Sequence, residues 1–179
     1  MNLIVDQNGN LQAPDINGPL TREQQAVVDA IADPGVITLN FVSNVDNVTY
    51  GATDDKGYHT IDLGDTALLV TPYNRSRFTP GVAVLHEVVE GLGEVNPALR
   101  GKLTAHDWAH QWAPGLKELG MTINSSDSRG FVIQGTLKHM VMDGTGTILR
   151  TLVHFDPPIP PGQLKSWSKA TVMSVRSEP

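Results

Sequence analysis

The sequence contains no cysteine among its 179 residues. That excludes disulfide staples, thiol catalysis and cysteine-ligated zinc together. Any metal must be held by the six histidines and by carboxylates. No window approaches the roughly 18 consecutive apolar residues that a membrane-spanning helix needs, so no membrane partner is expected. Positive charge is also scarce: 13 Lys and Arg against 19 Asp and Glu leave a formal net charge of -6 and a pI near 5.4. A surface of that sign repels phosphate backbones, and no nucleic-acid partner is expected. The opening Met1-Asn2-Leu3-Ile4-Val5-Asp6 lacks the basic start of a signal peptide. The cellular location stays open, release as part of a larger effector included. There is no internal repeat and no low-complexity tract. What remains, 40% apolar and 18% charged residues, is ordinary for a folded chain long enough to bury a core.

Residues 1–20 read as an irregular leader, with a turn at Asp6-Gln7-Asn8-Gly9-Asn10 and breakers at Pro14, Gly18 and Pro19. Residues 21–179 read as one domain: a core at 21–120 and a β-rich C-terminal part at 121–179. Thr21-Arg22-Glu23-Gln24 has the form of a capping box and opens a helix that stops at Asp33-Pro34-Gly35. Strands are expected at Ile37–Val42, Val48–Gly51 and Tyr58–Leu63. Thr79-Pro80 starts a second helix, which Gly91 and Gly93 should end. Further helix is expected from Asn96-Pro97 to Leu103 and from Thr104 to Trp112. Beyond Gly120 come strands at Phe131–Leu137 and Ile148–Val153, joined by the turn Asp143–Gly146, then a proline-rich loop (156–162) and a last strand near Ala170–Val175. This order implies an α+β fold.

The chemistry is concentrated in Leu85-His86-Glu87-Val88-Val89-Glu90. On a helix, His86 and Glu90 stand at i and i+4 on one face and can supply two metal ligands. Glu87 is placed to serve as general base and then acid. A catalytic zinc needs a third protein ligand. Ala105-His106-Asp107-Trp108-Ala109-His110 offers two histidines; His106 is favoured because Thr104 and Asp107 mark a helix start, with His110 close behind. Asp107 is a candidate to orient a ligand histidine. Tyr50, Tyr58 and His59 could donate to an oxyanion, although core or surface packing is the favoured reading. His139 and His154 read as structural strand histidines able to line a cleft, Trp108 and Trp112 as helix packing, and Asp62 and Asp65 as solvated acids at a strand end.

The helix with His86-Glu87-x-x-Glu90, preceded by a small sheet and followed by a second helix, resembles the zincin metallopeptidases. The resemblance covers roughly residues 20–112 and implies a zinc-dependent (Zn2+) hydrolase acting on protein or peptide, with the Tyr58–Leu63 strand at the sheet edge beside the active site. Two features depart from it: Glu90 stands where the consensus has a second histidine, and Asn96 where the extended metzincin pattern has its third ligand. The strings His59–Asp65, Leu85–Glu90 and Ala105-His106 also resemble small metallopeptidase-like C-terminal domains of bacterial polymorphic toxins, including Rhs-type effectors. That resemblance implies a toxin with an immunity protein as partner. The alternative is a non-enzymatic binding or structural domain, such as a phage or secretion-system component, which keeps such a helix for packing. It expects His86 and Glu90 to lie far from both His106 and His110.

Overall fold

The computed structural model describes residues 2–45, 50–53, 57–160 and 170–179. The described residues form a mixed α+β structure with five helices and three small sheets. Strands β1 (Asn2–Val5) and β2 (Leu11–Asp15) pair as an antiparallel hairpin. The expected irregular leader is therefore corrected. Asp6 holds the turn, one carboxylate oxygen accepting the Asn8 and Asn10 amides and the other accepting the Asn10 and Gln12 side chains. Pro14 is tolerated because β2 is an edge strand.

Helix α1 (Arg22–Ala32) begins at the expected capping box: Thr21 Oγ1 accepts the Gln24 amide and the Gln24 side chain accepts the Thr21 amide. A three-stranded sheet follows, in the order β3 (Leu39–Val42), β5 (His59–Asp62), β4 (Ala52–Thr53), with β3 and β5 parallel. Of the strand expected at Val48–Gly51, residues 48 and 49 lie outside the described residues, and Tyr50-Gly51 is a bend. The strand expected at Tyr58–Leu63 is central, not at the edge. It ends one residue early because Asp62 caps the short helix α2 (Leu63–Ala67). Asp62 is fully buried and accepts four backbone amides, from Asn44, Val45, Gly64 and Asp65. This overturns the solvated-acid reading of Asp62, and Asp65 is buried as well.

Helix α3 (Pro80–Val95) starts as expected, with Thr79 capping and Pro80 in its first turn. It runs through both glycines that were expected to end it. A Cβ at Gly91 would come 2.5 Å from Ile37, and one at Gly93 would come 2.9 Å from the Trp108 ring. The glycines serve close approach, not termination. The helix stops at Asn96, where the following proline disfavours helical backbone. The helical region after it shortens to α4 (Pro97–Arg100) and α5 (Ala105–Ala109), the latter capped by Thr104.

The C-terminal part is an antiparallel meander of β6 (Leu116–Ser126), β7 (Val132–Val141), β8 (Ile148–Ile159) and β9 (Ala170–Glu178). Strand β6 starts ahead of the expected boundary and absorbs Gly120, at φ +110°, where its register shifts. Two apolar cores result. One packs the inward faces of this sheet, including Leu149, Val153 and Phe155, on Tyr50, Leu69, Phe78 and Ala83. The other joins Ala26 of α1 to Val89 and Leu92 of α3 and to Trp108 and Ala109 of α5. Each fully buried Val, Leu or Phe contributes about 1.5–3 kcal/mol. Helix α3 contributes to both cores, and its His86-Glu87 stretch lies between those contributions.

Candidate metal centre

Helix α3 projects His86 and Glu90 toward α5, which carries His106, with His110 at its C-cap. His86 Nε2 lies 3.3 Å from His106 Nδ1 and 3.5 Å from Glu90 Oε2, and His106 Nδ1 lies 3.0 Å from Glu90 Oε2. A tetrahedral zinc with bonds of about 2.0–2.1 Å spaces its ligand atoms about 3.3–3.4 Å apart. The triangle of donor atoms comes close to that spacing, its shortest side about 0.3 Å under it. His86 donates from Nδ1 to the Ala113 carbonyl at 3.2 Å, which leaves Nε2 as the nitrogen turned toward His106 and Glu90.

His110 joins the cluster: one of its ring nitrogens lies within 4.8 Å of one ring nitrogen each of His86 and His106. The three imidazole rings pack at centroid distances of 4.6–5.0 Å. The Gly115 amide donates to His110 Nδ1 at 3.0 Å, however, so the neutral ring carries its proton on Nε2. His106 is the better-placed third ligand. Gly115 fits against both rings because it has no side chain; a Cβ there would lie 2.8 Å from His86 Cε1. The separation beyond about 8 Å that the non-enzymatic alternative expects is not found.

The charges couple. Burial works against a charged Glu90, but hydrogen bonds from His86 and His106, and their charges, bring its pKa down to about 2. Burial also opposes protonation of His86, yet Glu90, the Ala113 carbonyl and the charge of Glu87 raise it above the usual histidine value. His110 is lowered to about 4 by burial and by repulsion from His86 and His106, so it is neutral at pH 7. Metal uptake at such a site displaces protons and weakens in acid.

Glu87, one residue along, is buried and lines a cavity of about 210 Å³. His86, His106, Tyr50, Gly51 and Phe78 contribute to one side, and Leu116, Glu118, Leu137 and His139 of β6 and β7 to the other. The C-terminal sheet is thus a wall of the cavity. One donor atom of Glu87 lies within 4.8 Å of those of His86 and Glu90.

Several neighbours differ from the sequence reading. His59 is 1% exposed and sits beneath α3, where it pairs with Glu87. Tyr50 lines the cavity, but its hydroxyl is engaged with Thr151 at 2.7 Å, and Tyr58 is exposed. Asp107 caps α5 with Thr104 and does not orient a histidine among the described residues. His139 reaches the cavity, its Nδ1 buried without a hydrogen-bond partner among the described residues and its pKa lowered by burial. Trp108 and Trp112 pack edge to face at 6.0 Å, as helix neighbours should. Glu94 and Gly115 were missed. Glu94 lies two helical turns beyond Glu87 and so shares its face, a signal present in the sequence. Comparison of the chain with known protein families, curated proteins and solved structures finds no match.

Proposed function

We propose that the protein is a zinc-dependent, zincin-like hydrolase that cleaves peptide bonds, with His86, Glu90 and His106 as metal ligands and Glu87 as general base. The observation that carries this reading is the triangle of three donor atoms 3.0–3.5 Å apart, opening onto a cavity that Glu87 also lines. Zinc held there would act as a Lewis acid and lower the pKa of water from 15.7 to about 7. Glu87 takes a proton from the attacking water as the water oxygen bonds to the scissile carbonyl carbon. It then gives that proton to the amide nitrogen as the C–N bond breaks, leaving a carboxylate and an amine. Phe78, Leu116 and Leu137 offer an apolar surface for a substrate side chain.

The test is the metal content of protein purified without chelator, together with peptide hydrolysis by the parent and by Glu87→Gln and His106→Ala. About one zinc per chain is expected in the parent and in Glu87→Gln, with hydrolysis lost in the latter. His106→Ala should bind zinc at least ten-fold more weakly. A parent that binds no zinc stoichiometrically overturns the proposal.

A further inference from the structure

His59 combines two features that rarely coexist. It is among the largest fully buried side chains, on the central strand of its sheet, yet both ring nitrogens face carboxylates. Nδ1 lies 3.0 Å from Glu87 Oε2, with Thr53 Oγ1 at 3.1 Å, and Nε2 lies 3.3 Å from Glu94 Oε2. The two glutamates are stacked on one face of α3. Gly91 sits between them, and a Cβ at that position would come 3.1 Å from His59 Nε2. The ring occupies the groove that the glycine leaves open. Ionised carboxylates only accept hydrogen bonds, so two of them on one imidazole call for a donor at each nitrogen.

The second oxygen of Glu87 is placed differently. Oε1 lies against Gly51 on the cavity wall, in space that any side chain at 51 would fill. One oxygen of the same carboxyl group lies within 4.8 Å of the donor atoms of His86 and Glu90, near enough for a modest shift to bring it into the ligand set. Glutamate has three rotatable side-chain bonds, so an unrestrained Glu87 could swing toward the ligand set and join it. A carboxylate bound to the metal is a much weaker base toward water, because the charge of the metal draws on its electrons.

We propose that His59, anchored by Glu94, is the positioning residue that keeps Glu87 a base and prevents it from becoming a metal ligand. It holds Oε2 and leaves Oε1 facing the cavity. This inference rests on the hydrolase reading, and its test separates the two. Cobalt(II) replaces zinc as the probe, because its visible absorption is strong when four-coordinate and weak when a further ligand binds. The parent loaded with cobalt should show the strong bands. His59→Gln should show the weak ones, and adding Glu87→Gln to that variant should restore the strong bands by removing the intruding carboxylate. Unchanged bands in His59→Gln, or no restoration in the double variant, would overturn the proposal.

Should His59→Gln not fold, Glu94→Gln, altered at a side chain 39% exposed, takes its place with the same expectations. A parent that takes up no cobalt overturns the hydrolase reading instead. The clamp is then decided in the metal-free protein by the 15N signals of the His59 ring at pH 7. Two protonated nitrogens in the parent, and one in Glu94→Gln, support it; a neutral ring in the parent refutes it.

Discussion

Replacing Gly91 with alanine tests the seat of the metal-site helix directly, because α3 carries its own control. At Gly81 an added Cβ meets nothing within 4 Å, whereas at Gly91 it comes 2.5 Å from Ile37 Cγ2 and 3.1 Å from His59 Nε2. Alanine is favoured over glycine in a helix by roughly 0.5–1 kcal/mol. That gain is common to both sites, somewhat reduced at Gly81 in the first turn, and largely cancels when the variants are compared. What remains is overpacking. Carbon atoms in contact sit about 3.5–4.0 Å apart, so a 2.5 Å approach is about 1 Å too close. Crowding of this kind costs about 1–3 kcal/mol. Gly81→Ala should therefore match or slightly exceed the parent, with Gly91→Ala about 1–3 kcal/mol below it. At roughly 2–4 °C per kcal/mol for a chain of this size, the melting temperatures should differ by about 2–12 °C. Thermal unfolding followed by circular dichroism, with urea midpoints as a check, reads the difference. Equal stabilities, or a more stable Gly91→Ala, would mean that α3 does not lie against Ile37 and His59, and the seating of the helix would have to be abandoned.

Two further outcomes follow from buried contacts. Tyr50→Phe removes the partner of the fully buried Thr151 hydroxyl and should cost about 1–3 kcal/mol, while the double variant with Thr151→Val should recover much of that loss. A Tyr50→Phe melting temperature equal to that of the parent would deny the contact. His110→Asn keeps an acceptor for the Gly115 amide but cannot take up a proton. A histidine held near 4 in the folded chain and at 6.5 in the unfolded one has no effect on stability above pH 6.5 and costs stability as pH falls toward 4. Allowing for partial exposure, the chelator-treated parent should lose about 1 kcal/mol relative to His110→Asn between pH 7.5 and pH 5. Denaturation curves that stay parallel across that range would contradict the assignment.

Local signals were the legible part of this chain. Thr21 with Gln24, Thr79 with Pro80, and Thr104 each mark a helix start within one turn, where capping acts, and each helix begins there. The placement of His86 and Glu90 on one face could be read from the helical period for the same reason. What could not be read depends on contacts between distant residues. Gly91 and Gly93 look like stops in isolation; only Ile37 and Trp108 show that they make room. Pro14 and Gly18 suggested an irregular start, yet the expected turn, organised by the Asp6 carboxylate, joins two paired strands. His59 was read at an edge strand because nothing local reveals that β4 pairs beyond it. Its bond to Glu87 joins elements 28 residues apart, beyond the reach of any periodicity.

The cavity draws its walls from two separate stretches of chain. His86, Glu87 and His106 come from helices before residue 110, whereas Leu116, Glu118, Leu137 and His139 come from β6 and β7, which pair with each other in the four-stranded sheet. On the hydrolase reading proposed above, reaction and selectivity would then be separable. Side chains of β6 and β7 that line the cavity could be exchanged, changing its shape, while His86, Glu90 and His106 stay as they are. On that reading one pair of helices could serve many recognition faces, with the variation carried by the strands.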